Sequence, residues 1–581
     1  MTGRPRRGRA RLRCAGLLAG GVLAAGLAHA GVELGDLDGP LAANVLAYLN
    51  LDEEPCDAPR WRIEQEFQAA PARIGEALAA LGYYAPTVMP TLELGEQCWR
   101  AAFAIAPGEP VRIRAVNVAL DGEAAGDAAF TAALEEAHLT VGAPLNHGSY
   151  ERLKRRWQDL ARERGYVDAQ FTANRIDVYP AERSADIALR FASGPRFKFG
   201  RVEFRQNVLS DRLVRSYVPF REGDPYDGRQ LTALYVALGD SGYFQTIDVR
   251  PLEAERDKGE VPIEVALTGS RRRLISYGIG FSTDTGPRLR FGRNNRRFND
   301  RGHQFGINAQ LSPVISEVTA NYRFPYGDPR TEWINFDAGI KSENTDTSMS
   351  DSLELGARRV FERPGGWTRT QMLNLVVEDF TVAEQTGRSR LLMPGIDWTR
   401  IRADNSIRPH RGSKLDLEVR GAADALGSDT SFVQVSAAGK WIWSLPSAAR
   451  ILLRGKVGAT AEREFAELPP SVRFFAGGDN SVRGYGFEAL GPVDANGKVI
   501  GGSSLAVASI EYEHKVRPSW SVAVFVDSGN AFERSSFEAK TGAGIGARWQ
   551  SPLGPIRIDL AHPFDDTQDA WRVHITLGPD L

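Results

Sequence analysis

The spacing of apolar positions changes once along this chain, near residue 270. Before that point it is helical in three places. Ile74, Leu78 and Leu81 fall at i, i+4 and i+7; Leu153, Trp157 and Leu160 repeat the spacing, and so do Leu231, Leu234 and Leu238. A Gly-Tyr pair follows each stretch: Gly82-Tyr83, Gly165-Tyr166 and Gly242-Tyr243, spaced 83 and 77 residues apart. The glycines stand where a left-handed residue would close a helix. Strand-like runs come next, at Ala101–Ala106, Asp186–Ala192 and Pro262–Thr268, followed by Gly108, Gly194 and Gly269. Opening strands read at Val111–Leu120 and Arg196–Arg205. The repeat predicts three α+β modules, at residues 31–108, 109–194 and 195–268, each ordered strand, two helices, two strands.

From about Arg271 the period drops to two. Ile334, Phe336, Ala338 and Ile340 alternate with Asn335, Asp337, Gly339 and Lys341. Leu415, Leu417 and Val419 form a second stripe, Trp520, Val522, Val524 and Val526 a third, and Ile556, Ile558 and Leu560 a fourth. Trp571, Val573, Ile575 and Leu577 close the chain against Arg572, His574 and Thr576. Short alternating segments parted by turn residues mark a transmembrane barrel, with a soluble sandwich as the alternative. Residues 269–581 number 313. At roughly 20 residues per strand and its turn, they predict about 16 antiparallel strands.

The first 30 residues make export the expected route. Six arginines (Arg4, Arg6, Arg7, Arg9, Arg11, Arg13) precede an apolar run from Ala15 to Leu27, and Ala28-His29-Ala30 offers small residues for cleavage. The run falls short of the roughly 20 residues of a spanning helix, which argues against the alternative of an anchor. Loss of residues 1–30 moves the formal charge from −2 to −8, so broad nucleic-acid binding is not expected. Cys14 leaves with that segment. Cys56 and Cys98 remain, and an even pair in an exported chain reads as a disulfide, two free buried thiols being the alternative. No histidine stands at ligand spacing from either, so no metal site is expected.

Enzyme signatures are missing: there is no Gly-x-Ser-x-Gly, His-Glu-x-x-His or Gly-x-x-x-x-Gly-Lys-Ser/Thr string. Asp494-Ala495-Asn496-Gly497-Lys498 lacks the remaining ligands of a calcium loop and reads as a hairpin tip. Neither a cofactor nor a metal is expected.

Three strings carry a family resemblance. Gly477-Gly478-Asp479-Asn480-Ser481-Val482-Arg483-Gly484-Tyr485 resembles the conserved loop of outer-membrane assembly and secretion barrels. Phe525-Val526-Asp527-Ser528-Gly529 resembles their Phe-x-Asp-x-Gly strand, and Ala508-Ser509-Ile510-Glu511-Tyr512 the strand before it. The modules resemble POTRA (polypeptide-transport-associated) domains. With Thr283-Asp284-Thr285-Gly286-Pro287-Arg288 and the ending Leu577-Gly578-Pro579-Asp580-Leu581, the mature chain is similar to the TamA family, outer-membrane subunits of the translocation and assembly module.

That resemblance implies an outer-membrane protein with periplasmic modules. It would assist client β-barrel proteins or autotransporters, contact outer-membrane lipid, and dock a TamB-like inner-membrane-anchored partner near the first module. A general insertase of the BamA type, usually with five modules, is one alternative. A two-partner secretion pore, usually with two modules and a plug helix, is another, and a diffusion porin would not need the modules. The expected lumenal clasp is Arg483, with Gly484 and Tyr485, against Asp527 and Glu511, with Gly529 in the strand motif. Alternation turns Asp527 away from the Val522–Val526 stripe, into the lumen. The resemblance also implies a lateral seam between a first strand over Leu274–Ser282, weakened by Gly278 and Gly280, and a last strand over Trp571–Gly578.

Overall fold

The computed structural model describes residues 31–577 except 96–97, 253–258, 364, 406–407, 447, 534–535, 552–553 and 566–570. The expected signal segment and Gly578 lie outside the described residues. The chain divides into two compact units. One holds the first two modules. The other holds most of the third module and the barrel.

Each module builds a three-stranded sheet with its last strand in the middle. In the second module, Ser184–Ala192 lies between Arg112–Asp121, parallel to it, and Gln170–Tyr179, antiparallel. Its helices, Ala128–Glu136 and His147–Arg164, are capped by Asp127 and Asn146, whose side chains accept from Ala129 N–H and Ser149 N–H. The apolar face of the second helix, Leu153, Trp157 and Leu160, is buried against Phe130 and Phe191. Trp157 Nε1 donates to the Phe130 carbonyl at 3.1 Å, which leaves the indole satisfied in the core.

The first two helix-closing glycines share one geometry. Gly165 directly follows Arg164 with φ +83°, as the pattern predicts. The first-module helix Arg60–Ala79 stops earlier than expected, and Leu81 falls beyond its end. Gly82 (φ +95°) nevertheless closes the helix as expected: Tyr83 N–H donates to the Leu78 carbonyl, the same bond that Tyr166 N–H makes to the Ala161 carbonyl beyond Gly165. In this module Cys56 and Cys98 are joined by a disulfide.

The second half is a closed barrel of 16 strands, each antiparallel to its neighbours in chain order. Outward positions follow the sequence alternation: Phe336, Ile340, Val522, Val524 and Val526 are exposed, as a lipid-facing band requires. Among the described residues no helix is long and apolar enough to cross a membrane. The fifth to eighth strands (Glu332–Asn344, Ser348–Arg363, Trp367–Val382, Gln385–Ala403) run 13 to 19 residues, longer than the expected ten. Tight turns offset their length; only Ala383 and Glu384 separate the seventh strand from the eighth. The strand total therefore equals the expected one although the strands do not have the expected length.

The disulfide closes a loop with a sequence separation of 42. Restricting that loop in the unfolded chain is worth about 4 kcal/mol by chain entropy. The Cys56→Ala/Cys98→Ala chain is expected to be cleaved within residues 31–107 at protease levels that spare the other modules. Limited proteolysis with mass mapping checks this, and equal resistance of the two chains would contradict it.

Candidate functional site: a loop clasped inside the barrel

Residues 463–503 connect the eleventh strand, Ala449–Glu462, to the twelfth, Ser504–Arg517. This loop packs an apolar cluster of its own. Phe474, Ala476, Val482, Tyr485 and Leu490 are buried against Leu505, Val507 and Ala531 on the barrel wall. That packing delivers Arg483, 4% exposed, to the inward faces of three strands.

Asp527, on the thirteenth strand Trp520–Phe532, is fully buried. Its two oxygens accept from Arg483 Nε at 2.7 Å and Nη2 at 3.0 Å, a bidentate pair. Arg483 N–H adds a third bond at 3.1 Å. Arg483 Nη1 reaches Glu511 on the twelfth strand at 2.8 Å and Asp559 on the fifteenth, Gly554–Pro563, at 3.0 Å. Phe525, two residues before Asp527, lies under the guanidinium with its ring centre 3.4 Å from Cζ. Strand alternation puts Phe525 and Asp527 on one face, so one strand supplies both the stacking plane and the counter-charge.

The surplus acid is neutralised locally. Arg548, on the fourteenth strand Lys540–Ser551, bonds Glu511 Oε1 at 2.7 Å and Asp559 Oδ1 at 2.6 Å. Arg454 Nη2 lies 3.6 Å from Asp527 and donates to the Ser481 carbonyl at 3.1 Å. Three carboxylates thus face three guanidinium groups in a closed network, the condition under which buried charges are tolerated.

Backbone fit completes the clasp. Gly484 has φ +99°, a region open chiefly to glycine, and its N–H donates to His574 Nε2 at 2.9 Å. A Cβ at Gly542 would overlap the Arg483 carbonyl, so the bare fourteenth strand lets the loop approach. Gly529 plays the same part between strands, since a Cβ there would overlap the Ala506 carbonyl. Tyr485 Oη donates to the Thr541 carbonyl at 3.3 Å.

The expected clasp residues are therefore brought together. Asp559, Arg548, Arg454 and His574 also belong to the network and were not anticipated. Asp559 was findable, because it sits out of phase with Ile556, Ile558 and Leu560 and so had to point inward. The seam residues fare differently. The last strand spans Arg572–Leu577, so Trp571 precedes it and is 60% exposed, its ring 5.2 Å from His562. Gly278 and Gly280 lie opposite Arg290 and Arg288 in a continuous ten-residue pairing of the first strand, Arg273–Ser282, with the second. A side chain at Gly280 would crowd Arg288. Gly280 thus gives room to the inward Arg288, whereas a Cβ at Gly278 would make only ordinary contact with Arg290. The Asp494 loop forms the expected hairpin tip, with Asp494 Oδ1 accepting from Asn496 N–H and Lys498 N–H.

A closed antiparallel barrel filled by its own loop, behind small α+β modules, defines an outer-membrane protein with POTRA domains in the periplasm. Residues 275–579 match the Omp85 superfamily domain, more than half of the chain, and the chain belongs to that superfamily. Residues 32–107 match a model described as POTRA domain TamA domain 1, and residues 197–268 match a POTRA model described as surface antigen variable number repeat. Outer membrane protein assembly factor BamA of Nitratidesulfovibrio vulgaris is 23% identical over 433 residues, covering 71% of this chain and 54% of that protein. The chain thus spans about half the length of that relative. BamA of Neisseria meningitidis is 22% identical, covering 86% of this chain and 71% of the relative. The crystal structure of Haemophilus ducreyi BamA lacking POTRA domains 1–3 shares the fold, with TM-score 0.67, 16% identity, and coverage of 81% of this chain and 99% of that one.

Replacing Arg483 by Ala leaves Asp527 buried without its main partner. Breaking a buried pair in this way costs about 3–5 kcal/mol. The barrel of Arg483→Ala is expected to lose its compact gel mobility at a clearly lower temperature. Arg483→Lys restores only part of the difference, because it keeps the charge without the planar fork. A melting temperature for Arg483→Ala equal to that of the unaltered chain would contradict the clasp.

Proposed function

We propose that this chain is a TamA-type assembly factor, which helps client β-barrel proteins or autotransporters enter the outer membrane through a laterally opening barrel. The observation that carries the reading is the seated loop. Its buried clasp braces strands twelve to fifteen. By contrast, the first and last strands share a single register pair among the described residues, Ser282↔Thr576. A barrel braced over strands twelve to fifteen and thinly joined at the adjoining seam suits lateral exit better than passage down a lumen that its own loop occupies.

The modules support the same reading. Each sheet keeps a two-sided order with edge strands, such as Gln170–Tyr179 in the second module. An edge strand can pair with an extended client through main-chain hydrogen bonds, with little demand on its sequence. The first-module match favours the TamA type, with a TamB-like inner-membrane-anchored partner at that module. The named relatives favour a second reading, a BamA-like general insertase.

Affinity capture of the tagged protein from native membranes separates the two. The TamA-type reading expects a large inner-membrane-anchored partner that disappears when residues 31–107 are deleted. Recovery of outer-membrane lipoproteins in its place would favour the general insertase. A Ser282→Cys/Thr576→Cys disulfide is expected to abolish client insertion, with recovery on reduction; undiminished insertion by the oxidised protein would remove the lateral-exit reading.

A further inference from the structure

Among the described residues, little backbone pairing closes the barrel. The first strand pairs with the second over ten residues, from Arg273↔Asn295 to Ser282↔Gly286. Toward the last strand, the described pairing is Ser282↔Thr576, extended by Thr283 N–H to the Ile575 carbonyl at 3.2 Å and Ile575 N–H to Thr283 Oγ1 at 3.1 Å. Side chains converge at this place. Asp479, four residues before Arg483 on the clasped loop, has a fully buried carboxylate. It accepts from Ser282 Oγ at 2.8 Å and Thr283 Oγ1 at 2.8 Å on the first-strand side. It also accepts from His574 Nδ1 of the last strand at 2.6 Å. One carboxylate, carried by a third element, holds both sides of the seam.

The tautomer of His574 follows from its partners. Gly484 N–H donates to Nε2, so Nε2 is the acceptor and Nδ1 carries the proton toward Asp479. Asp284, in the turn after the first strand, accepts from Asp479 N–H at 2.8 Å. Burial and the nearby Asp479 carboxylate push Asp284 up to about 7. Asp284, Asp479 and His574 are close enough to hold a cation. Both imidazole nitrogens are already engaged, however, and Asp479 is filled by hydroxyl and imidazole protons. The arrangement is a hydrogen-bond node.

We propose that Asp479 is the latch of the seam: from inside the lumen it ties the first strand to the last, and parting them requires the loop to withdraw it. The link from latch to client entry rests on the lateral-exit reading; the latch itself does not. Gly484 touches His574 while its neighbour Arg483 holds the clasp, so loop seating and seam closure form one network. Asp479 is a positioning residue in this scheme, because it acts through the strands it joins.

Hydrogen–deuterium exchange on the full mature chain in lipid nanodiscs tests the latch. In Asp479→Ala, amides in residues 279–285 and 572–577 are expected to exchange at least tenfold faster, while strands twelve to fourteen keep their protection. Asp479→Asn, which retains one acceptor oxygen, should fall between. Ser282→Ala, which leaves the loop sequence intact, should show a smaller rise confined to the same segments, and it carries the test if Asp479→Ala does not fold. Unchanged seam exchange would overturn the latch, and so would equal acceleration in strands twelve to fourteen, which would mean general loosening. Faster seam exchange with unaltered client insertion would leave the latch standing and defeat the lateral-exit reading.

Discussion

A guanidinium taken out of water is costly unless counter-charges are already in place, with an effective penalty of several kcal/mol. Arg483 meets that condition inside the barrel, and much of the surrounding structure follows from it. Asp527, Glu511 and Asp559 come from three different strands, so the arginine is satisfied only when those strands hold their register. The dependence runs both ways. Without Arg483 the acids would crowd one another, with Arg548 as their close remaining partner and Arg454 more distant. The bare face at Gly542 and the left-handed turn at Gly484 are the steric conditions for this electrostatic fit.

A loop so held occupies the lumen instead of lining it. Its apolar residues pack on the wall at Leu505 and Val507. Its base is tied down separately, where Arg473 donates to the Leu468 carbonyl at 2.7 Å and the Ile500 carbonyl at 3.0 Å. The clasp therefore bears on strands twelve to fifteen. Among the described residues the seam, just beyond the last strand, combines a short strand pairing with hydrogen bonds from the same loop. This asymmetry sets the chain apart from a symmetric diffusion pore.

The sequence made the larger architecture legible because two periodicities are robust to local error. Helical spacing with Gly-Tyr punctuation marked the modules, and two-residue alternation marked the barrel. Arg483, Asp527 and Glu511 were legible together because motif and strand phase agreed on where each side chain points. Asp559 shared that phase but stood in no motif. Asp479 lay within the motif, yet its partners come from residues 282–283 and 574, which meet only when the barrel closes. No local pattern encodes that meeting. The glycines of the first strand are ambiguous for a related reason. Glycine in a strand signals either weakness or close approach, and the choice depends on the neighbouring strand, here the inward Arg288.

The central claim is that Arg483 and Asp527 act as one buried unit that seats the loop. The most direct measurement is a double-mutant cycle on Arg483→Ala and Asp527→Ala, read as unfolding free energy of the full mature chain in lipid vesicles. The account predicts strong non-additivity, with a coupling energy of about 2–3 kcal/mol, at the upper end for contacting residues. Additive losses would mean that the two side chains contribute independently, and the clasp would not be the interaction that seats the loop.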